Sequence, residues 1–223
     1  MTPISVDAIT FDCYGTLIDW ERGLRYFLTQ LLIAKRVSVP ADELHDVWEK
    51  TQFAMLSRPY RRYRVILAES LAESLRRFKV SYDSEDGQKL AHAMGSWRPF
   101  KDVADGLARL KRKYKLGIIS NTDRDIMSRT LTYLGVDMDV VVVAEDVRAY
   151  KPGPKGFEEA LKRLGLPPDR VLHAAFGIAY DLGPAKSLGM KLALVRRGRM
   201  DHLSAPLDVE VASIAELADT LGA

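Results

Sequence analysis

An acid stands at the end of an apolar run. Ala8-Ile9-Thr10-Phe11 leads straight into Asp12, and Gly15 and Thr16 follow almost at once. Three later segments carry related chemistry after apolar runs of their own: Ser120-Asn121-Thr122-Asp123, Tyr150-Lys151-Pro152, and Phe176-Gly177 with Asp181 a few residues on. A carboxylate, a hydroxyl, a lysine and a second carboxylate suit covalent catalysis. A carboxylate is a weak nucleophile, but an ester formed on it splits one hard displacement into two easier steps. It needs donors and a cation to hold it ionised and aimed. Gly15 lets the turn present backbone N–H groups to Asp12. Thr16 adds a hydroxyl donor, and Lys151 adds positive charge on a backbone that the following proline keeps extended.

Those segments meet only if the runs before them are neighbouring strands. Five short apolar runs read as buried strands: Ile4–Phe11, Leu116–Ser120, Val140–Ala144, Val171–Phe176 and Leu192–Val195. Helical spacing precedes the second run, in Val103, Leu107 and Leu110, and lies between later ones, in Ile126, Leu131 and Leu134 and in Phe157, Leu161 and Leu164. Gly135 and Gly165 read as helix stops. Strands alternating with helices predict an α/β, doubly wound parallel sheet, with its site beyond the carboxyl ends of the strands. From Asp19 to about Gly95 the rhythm changes. Apolar stripes at Leu24, Phe27, Leu28, Leu31 and Leu32, at Leu44, Val47, Trp48 and Phe53, and at Val65, Ile66, Leu67, Leu71 and Leu75 predict helices only. Residues 19–95 therefore read as an inserted helical domain, and 1–18 with 96–223 as the sheet domain.

Composition narrows the classes. A chain of 223 residues, 47% of them hydrophobic, is enough for one sizeable core, or for a core plus a smaller attached domain. A formal charge of +3 gives no electrostatic case for nucleic acid or a membrane surface. No apolar stretch approaches the length of a membrane span, and no signal-peptide pattern opens the chain, so a cytoplasmic protein is expected. The single cysteine, Cys13, excludes an internal disulfide. It reads as a small buried thiol. His45, His92 and His202 have no metal-ligand spacing, and His173 reads as a structural residue of the fourth strand.

Taken together, FDCYGTLIDW, SNTD, YKPGP and HAAFGIAYDLGPAKSLGM resemble the haloacid dehalogenase superfamily across nearly the whole chain. The resemblance implies a Rossmann-like core with a helical cap inserted after the first motif. It implies Asp12 as nucleophile, Ser120 as the second-motif hydroxyl, Lys151 as the third-motif lysine, and Asp181 as an acid of the fourth motif. The phosphatase branch of that superfamily carries a second aspartate where this chain has Tyr14. It carries Gly-Asp where this chain has Ala175-Phe176. Both changes remove carboxylates used for proton donation and Mg²⁺ binding, so no metal and no cofactor are expected. Asp-x-Tyr-Gly-Thr-Leu instead resembles the metal-free (S)-2-haloacid dehalogenases, in which a carboxylate displaces halide from the carbon alpha to a carboxylate.

Asp19-Trp20 and the histidine-led fourth segment also resemble azetidine-2-carboxylate hydrolase, where Tyr14 or an acid of the cap would protonate the leaving nitrogen. A Mg²⁺-dependent phosphatase, against which Tyr14 and Phe176 speak, and a non-catalytic anion-binding relative are the remaining readings. The serine and asparagine of the dehalogenase fourth motif are replaced here by Gly177 and Ile178. A small 2-substituted carboxylate is the expected substrate. Its contacts are expected from Tyr14, Asn121 and Phe176, and from one of Arg58, Arg61, Arg62 and Arg64 in SRPYRRYR. The choice between a monomer and a homodimer stays open.

Overall fold

The computed structural model describes residues 4–198 and 207–223, so His202 lies outside the described residues. Six strands form one sheet: β1 (Ala8–Phe11), β2 (Lys115–Ser120), β3 (Val140–Val143), β4 (Val171–Ala175), β5 (Lys191–Val195) and β6 (Val209–Val211). Their spatial order is β3-β2-β1-β4-β5-β6, and every pairing is parallel. Parallel neighbours need crossovers, which the helices supply. Between β1 and β2 stand α1 (Trp20–Ala34), α2 (Ala41–Leu56), α3 (Tyr63–Arg77), α4 (Ser84–Met94) and α5 (Val103–Lys111). The later crossovers use α6 (Arg124–Leu131), then α7 (Ala144–Val147) and α8 (Lys155–Leu164), then α9 (Gly183–Ser187). After β6 comes α10 (Ile214–Thr220).

The two-residue period of the strands sorts side chains between two cores. Ile9, Phe11, Ile118, Leu172 and Ala174 face one side, with Leu107 and Leu110 of α5, Ile126 of α6 and Leu217 of α10. Ala8, Ile119, Val142, Val171 and Ala175 face the other, with Phe157, Ala160 and Leu164 of α8. The first core continues without a break into the apolar faces of α1 to α4, through residues such as Leu24, Leu44, Leu67 and Leu90.

Some expectations shift. β1 starts at Ala8 rather than Ile4, and just before it the Asp7 carboxylate is held by the Arg170 guanidinium. Ala144 opens α7 rather than ending β3. The fourth helix, α4, was not expected. It is largely polar and starts from a capping box between Asp83 and Asp86. β6 was missed because only three residues form it, with Glu210 exposed at its centre. Among the described residues no helix is long and apolar enough to cross a membrane.

One ion pair braces the loop that follows β1. Arg197 donates to both oxygens of Asp102 at 2.8 Å and to the Thr16 carbonyl at 3.1 Å, and its guanidinium lies 4.1 Å from the Phe100 ring centre. Asp102 also accepts the Ile214 N–H at 2.7 Å, which ties α5 to α10. Burial alone would raise the Asp102 carboxyl, but Arg197 and that N–H hold it below its ordinary 3.8. Arg197→Ala is expected to lower stability by roughly 2–3 kcal/mol, since charge-assisted bonds go and a carboxylate loses its partner. A depressed pKa makes this contribution full above the unfolded value and lost on acidification, so the two proteins should converge as pH falls below 3.8. Urea denaturation across pH checks both; a gap that stays constant in acid would contradict the assignment.

Candidate active site

The strand order reverses between β1 and β4, where open parallel sheets leave a crevice at their carboxyl ends. Asp12 leaves β1 there, Ser120 ends β2, Lys151 lies in the connection after β3, and Asp181 follows β4. The structure brings all four to one cavity of about 110 Å³. An apolar cavity that holds benzene is ~150 Å³, so this one suits a molecule of only a few carbons.

Lys151 is the hub. Its Nζ donates to Asp12 Oδ1 at 2.8 Å, to Asp181 Oδ1 at 2.5 Å and to the Ile119 carbonyl at 3.0 Å. Three acceptors use all three protons of an ammonium. The other Asp12 oxygen accepts the Thr16 hydroxyl at 2.9 Å, and Thr16 Oγ1 in turn accepts the Phe176 N–H at 3.0 Å. Burial pushes the Asp12 carboxyl up from its ordinary value, and the Asp181 charge adds to the rise while Lys151 and Thr16 oppose it. Burial would raise Asp181 as well, yet Lys151 and His173 hold it down. Against its own burial, Lys151 is held above its ordinary value by both carboxylates. The triad is an ion cluster carrying one net negative charge.

His173 was read as structural, and the structure places it beneath the cluster. Its Nδ1 lies 2.9 Å from Thr10 Oγ1 and its Nε2 lies 3.5 Å from Asp181 Oδ1. The signal was available in the alternation of β4, which points residue 173 to the same side as Ala175 at the strand end.

The remaining assignments divide. Ser120 is buried and lines the cavity, and its hydroxyl makes no protein hydrogen bond among the described residues. Asn121 lines the cavity too, but its amide is engaged: Oδ1 accepts the Lys151 N–H at 2.7 Å and Nδ2 donates to the Lys151 carbonyl at 3.1 Å. It clamps the lysine loop. The Lys151–Pro152 peptide is cis. The Gly15 N–H turns to the Ile18 carbonyl at 2.9 Å instead of facing Asp12. Tyr14 forms part of the wall, with its hydroxyl 2.8 Å from Thr130 Oγ1. Burial pushes that phenol well up, so it is a poor proton donor. Asp181 sits in a π-helical turn, Ile178–Leu182, and its carboxylate serves Lys151 rather than a helix end. Burial likewise pushes the Cys13 thiol well up, which leaves it inert.

The four arginines are a correction. None lines the cavity. Arg61 pairs with Glu69, Arg62 with Glu145 at 3.1 Å, and Arg64 with Asp125 and Asp123. Arg58 is exposed. The reason is Asp123: buried at the end of β2, it accepts the Tyr63 and Arg64 N–H groups at 2.9 and 3.0 Å and so caps α3. Docked that way, SRPYRRYR meets core acids and sends only Tyr63 into the cavity. The sequence reading also passed over most of the aromatic wall: Trp20, Trp48, Trp97 and Tyr180 join Tyr14 and Phe176 there.

A magnesium ion, which the phosphatase branch would use, does not fit these residues. An ammonium already lies between the two carboxylates, and the second Asp12 oxygen is held by Thr16. The Phe176 ring packs on Gly15, beside Asp12. Among the described residues no group of three His, Cys, Asp or Glu side chains is placed to hold a metal ion.

Comparison with known proteins gives the family. Residues 6–189 match the family model for haloacid dehalogenase-like hydrolases. The (S)-2-haloacid dehalogenase 4A of Burkholderia cepacia is 27% identical over 223 residues, covering 96% of this chain and 94% of that protein. An (S)-2-haloacid dehalogenase of Pseudomonas putida is 28% identical over 229 residues, covering 97% of both. Among solved structures, a defluorinating L-2-haloacid dehalogenase superposes with a TM-score of 0.88 at 27% identity, covering 98% of this chain and 96% of that one.

The contact between Gly15 and Phe176 is testable. Gly15 has φ +104°, and a Cβ there would stand 2.2 Å from the Phe176 ring. Gly15→Ala should destabilise by about 1–3 kcal/mol through backbone strain and overpacking. In a Phe176→Ala background the steric part should vanish and the backbone part remain. A double-mutant cycle by denaturation measures the coupling, and additivity within about 0.5 kcal/mol would reject the contact.

Proposed function

The chain belongs to the haloacid dehalogenase-like hydrolases, and we propose that it is a metal-independent hydrolase of small 2-haloacids, with Asp12 as its nucleophile. The observation that carries this reading is the Asp12–Lys151–Asp181 cluster in a small, mostly aromatic cavity. In the first step an Asp12 oxygen attacks the alpha carbon, the carbon–halogen bond breaks, and halide leaves with the bonding pair. Halide needs no proton, so no general acid is required. A carboxylate stripped of water and raised in pKa is a stronger nucleophile than one in solution. Lys151 and Thr16 hold it in place, and a confined substrate meets it in few orientations.

In the second step water attacks the ester carbonyl carbon of Asp12 and the acyl–oxygen bond breaks; one water proton goes to the departing oxygen, giving the 2-hydroxyacid, and the other is released to solvent as the carboxylate is restored. Asp181, fixed by Lys151 with His173 beside it, is the group placed to orient that water. The unpaired Ser120 hydroxyl is the donor proposed for the substrate carboxylate. Residues 19–95 act as a cap that keeps solvent out, and 1–18 with 96–223 form the catalytic unit.

A second reading has its own observation. Among the described residues no arginine or histidine lines the cavity, whose charge is one net negative and whose wall is aromatic. Aromatic faces and a surplus carboxylate also suit a cation. Opening of a protonated ring, as in an azetidine-2-carboxylate, is the corresponding reaction. The ratio of kcat/KM for 2-chloropropionate and azetidine-2-carboxylate separates the two.

Intact-protein mass spectrometry with 2-chloropropionate should detect a transient adduct that maps to Asp12 and is absent in Asp12→Asn. An adduct elsewhere, or full activity in a variant checked for deamidation, would remove Asp12 as nucleophile. The pH profile follows from the cluster. Asp12 must be ionised to attack and its carboxyl is raised, so kcat/KM should fall in acid with an apparent pKa above 3.8. That value belongs to the cluster as a whole. Lys151 is held above 10.5, so loss of its proton should give no alkaline limb below that pH.

A further inference from the structure

We propose that the indole N–H of Trp48 receives the departing halide. This rests on the haloacid reading and adds the group that takes the leaving atom. Trp48 is 2% exposed and lines the cavity that contains Asp12. Its Nε1 is buried with no hydrogen-bond partner among the described residues. A buried indole N–H normally finds a partner, and an indole can only donate, so whatever satisfies it is an acceptor.

Displacement chemistry says which acceptor. Attack at a tetrahedral carbon expels the leaving group along the line away from the attacking oxygen. Asp12 stands on the sheet side, so the carbon–halogen bond points at the helical wall, where α2 contributes Trp48, Gln52, Phe53 and Leu56 and α3 contributes Tyr63. On that wall Gln52 Nε2 is already committed to the Tyr63 hydroxyl at 3.0 Å. The cavity's lysine has no proton to spare, since Asp12, Asp181 and the Ile119 carbonyl accept all three. The cap arginines pair elsewhere. Trp48 Nε1 is therefore a buried donor on that wall with no protein partner of its own among the described residues. Its ring is backed by Trp20, 6.4 Å away between centres, which itself stacks on His45 at 5.5 Å. The balance is simple: the Asp12 oxygen supplies the electron pair for the new bond, and the halogen departs with the old one. The N–H···halide bond then forms without proton transfer.

The test compares wild type and Trp48→Phe on 2-bromo-, 2-chloro- and 2-fluoropropionate, with sodium bromide as product inhibitor. Loss of a hydrogen bond to a charged group should lower kcat/KM roughly tenfold to a hundredfold. The loss should be greatest for fluoride and least for bromide, because the smaller halide depends most on its donor, and inhibition by bromide should weaken. A loss equal on all three substrates, with unchanged bromide inhibition, would make Trp48 packing only and overturn the proposal. Anomalous diffraction from wild-type crystals soaked in sodium bromide decides independently of how the variant folds. A bromide peak within hydrogen-bond distance of Trp48 Nε1 supports the assignment, and a peak elsewhere or none overturns it. If wild type turns over none of the haloacids, the activity reading fails, while the bromide peak still decides the halide site.

Discussion

Two carboxylates buried side by side repel one another, and one ammonium between them makes the arrangement stable. Lys151 meets Asp12 and Asp181 from a loop that Asn121 holds on both sides of its peptide. Take the ammonium away and one carboxylate would have to protonate or the crevice would have to take in water. The sheet order follows from the same need, since the cluster forms only if the segments after β1, β3 and β4 reach one point. The cluster also changes charge during the proposed reaction. With Asp12 esterified, Lys151 and Asp181 form a neutral pair, so the excess negative charge leaves with the halide. The site is then least crowded electrostatically when water has to enter.

The helices over the sheet are fastened through polar groups that have no part in the cavity. Asp123 caps α3 from the core, the Tyr150 hydroxyl donates to the Arg61 carbonyl at 2.7 Å, and Arg62 and Arg64 reach core acids. These contacts press Tyr63, Trp48 and Phe53 against the strand ends, with Phe53 stacked on Tyr180 at 5.1 Å between centres. Excluding water and docking the helices are one event. The aromatic wall dries the carboxylate, and the rim of ion pairs keeps the wall there.

The sequence carried the central strands, because short apolar runs between turn signals announce themselves, and it carried the meeting of Asp12, Ser120, Lys151 and Asp181 in one cavity, because each stands at or after the carboxyl end of such a run. Pairings that depend on docking were not legible. Arg62 and Arg64 looked like anion binders until Asp123, far away in the chain, was found capping the helix that bears them. Asn121 looked like a substrate ligand because its backbone partner in the Lys151 loop is set by tertiary structure. α4 and β6 were hidden for local reasons, the one too polar and the other too short. Trp48 was read as one member of an apolar stripe, and nothing in that stripe says that its nitrogen lacks a partner.

The packing of Phe176 on Gly15 also limits what position 176 can hold. The motif resemblance implies an acid in the phosphatase branch where this chain has the aromatic ring. Restoring that acid here would leave a void beside a glycine whose φ of +104° admits few other residues, and it would set a third negative charge next to a lysine already shared by two. An acid at position 176 alone would therefore lose packing and gain repulsion at the same time.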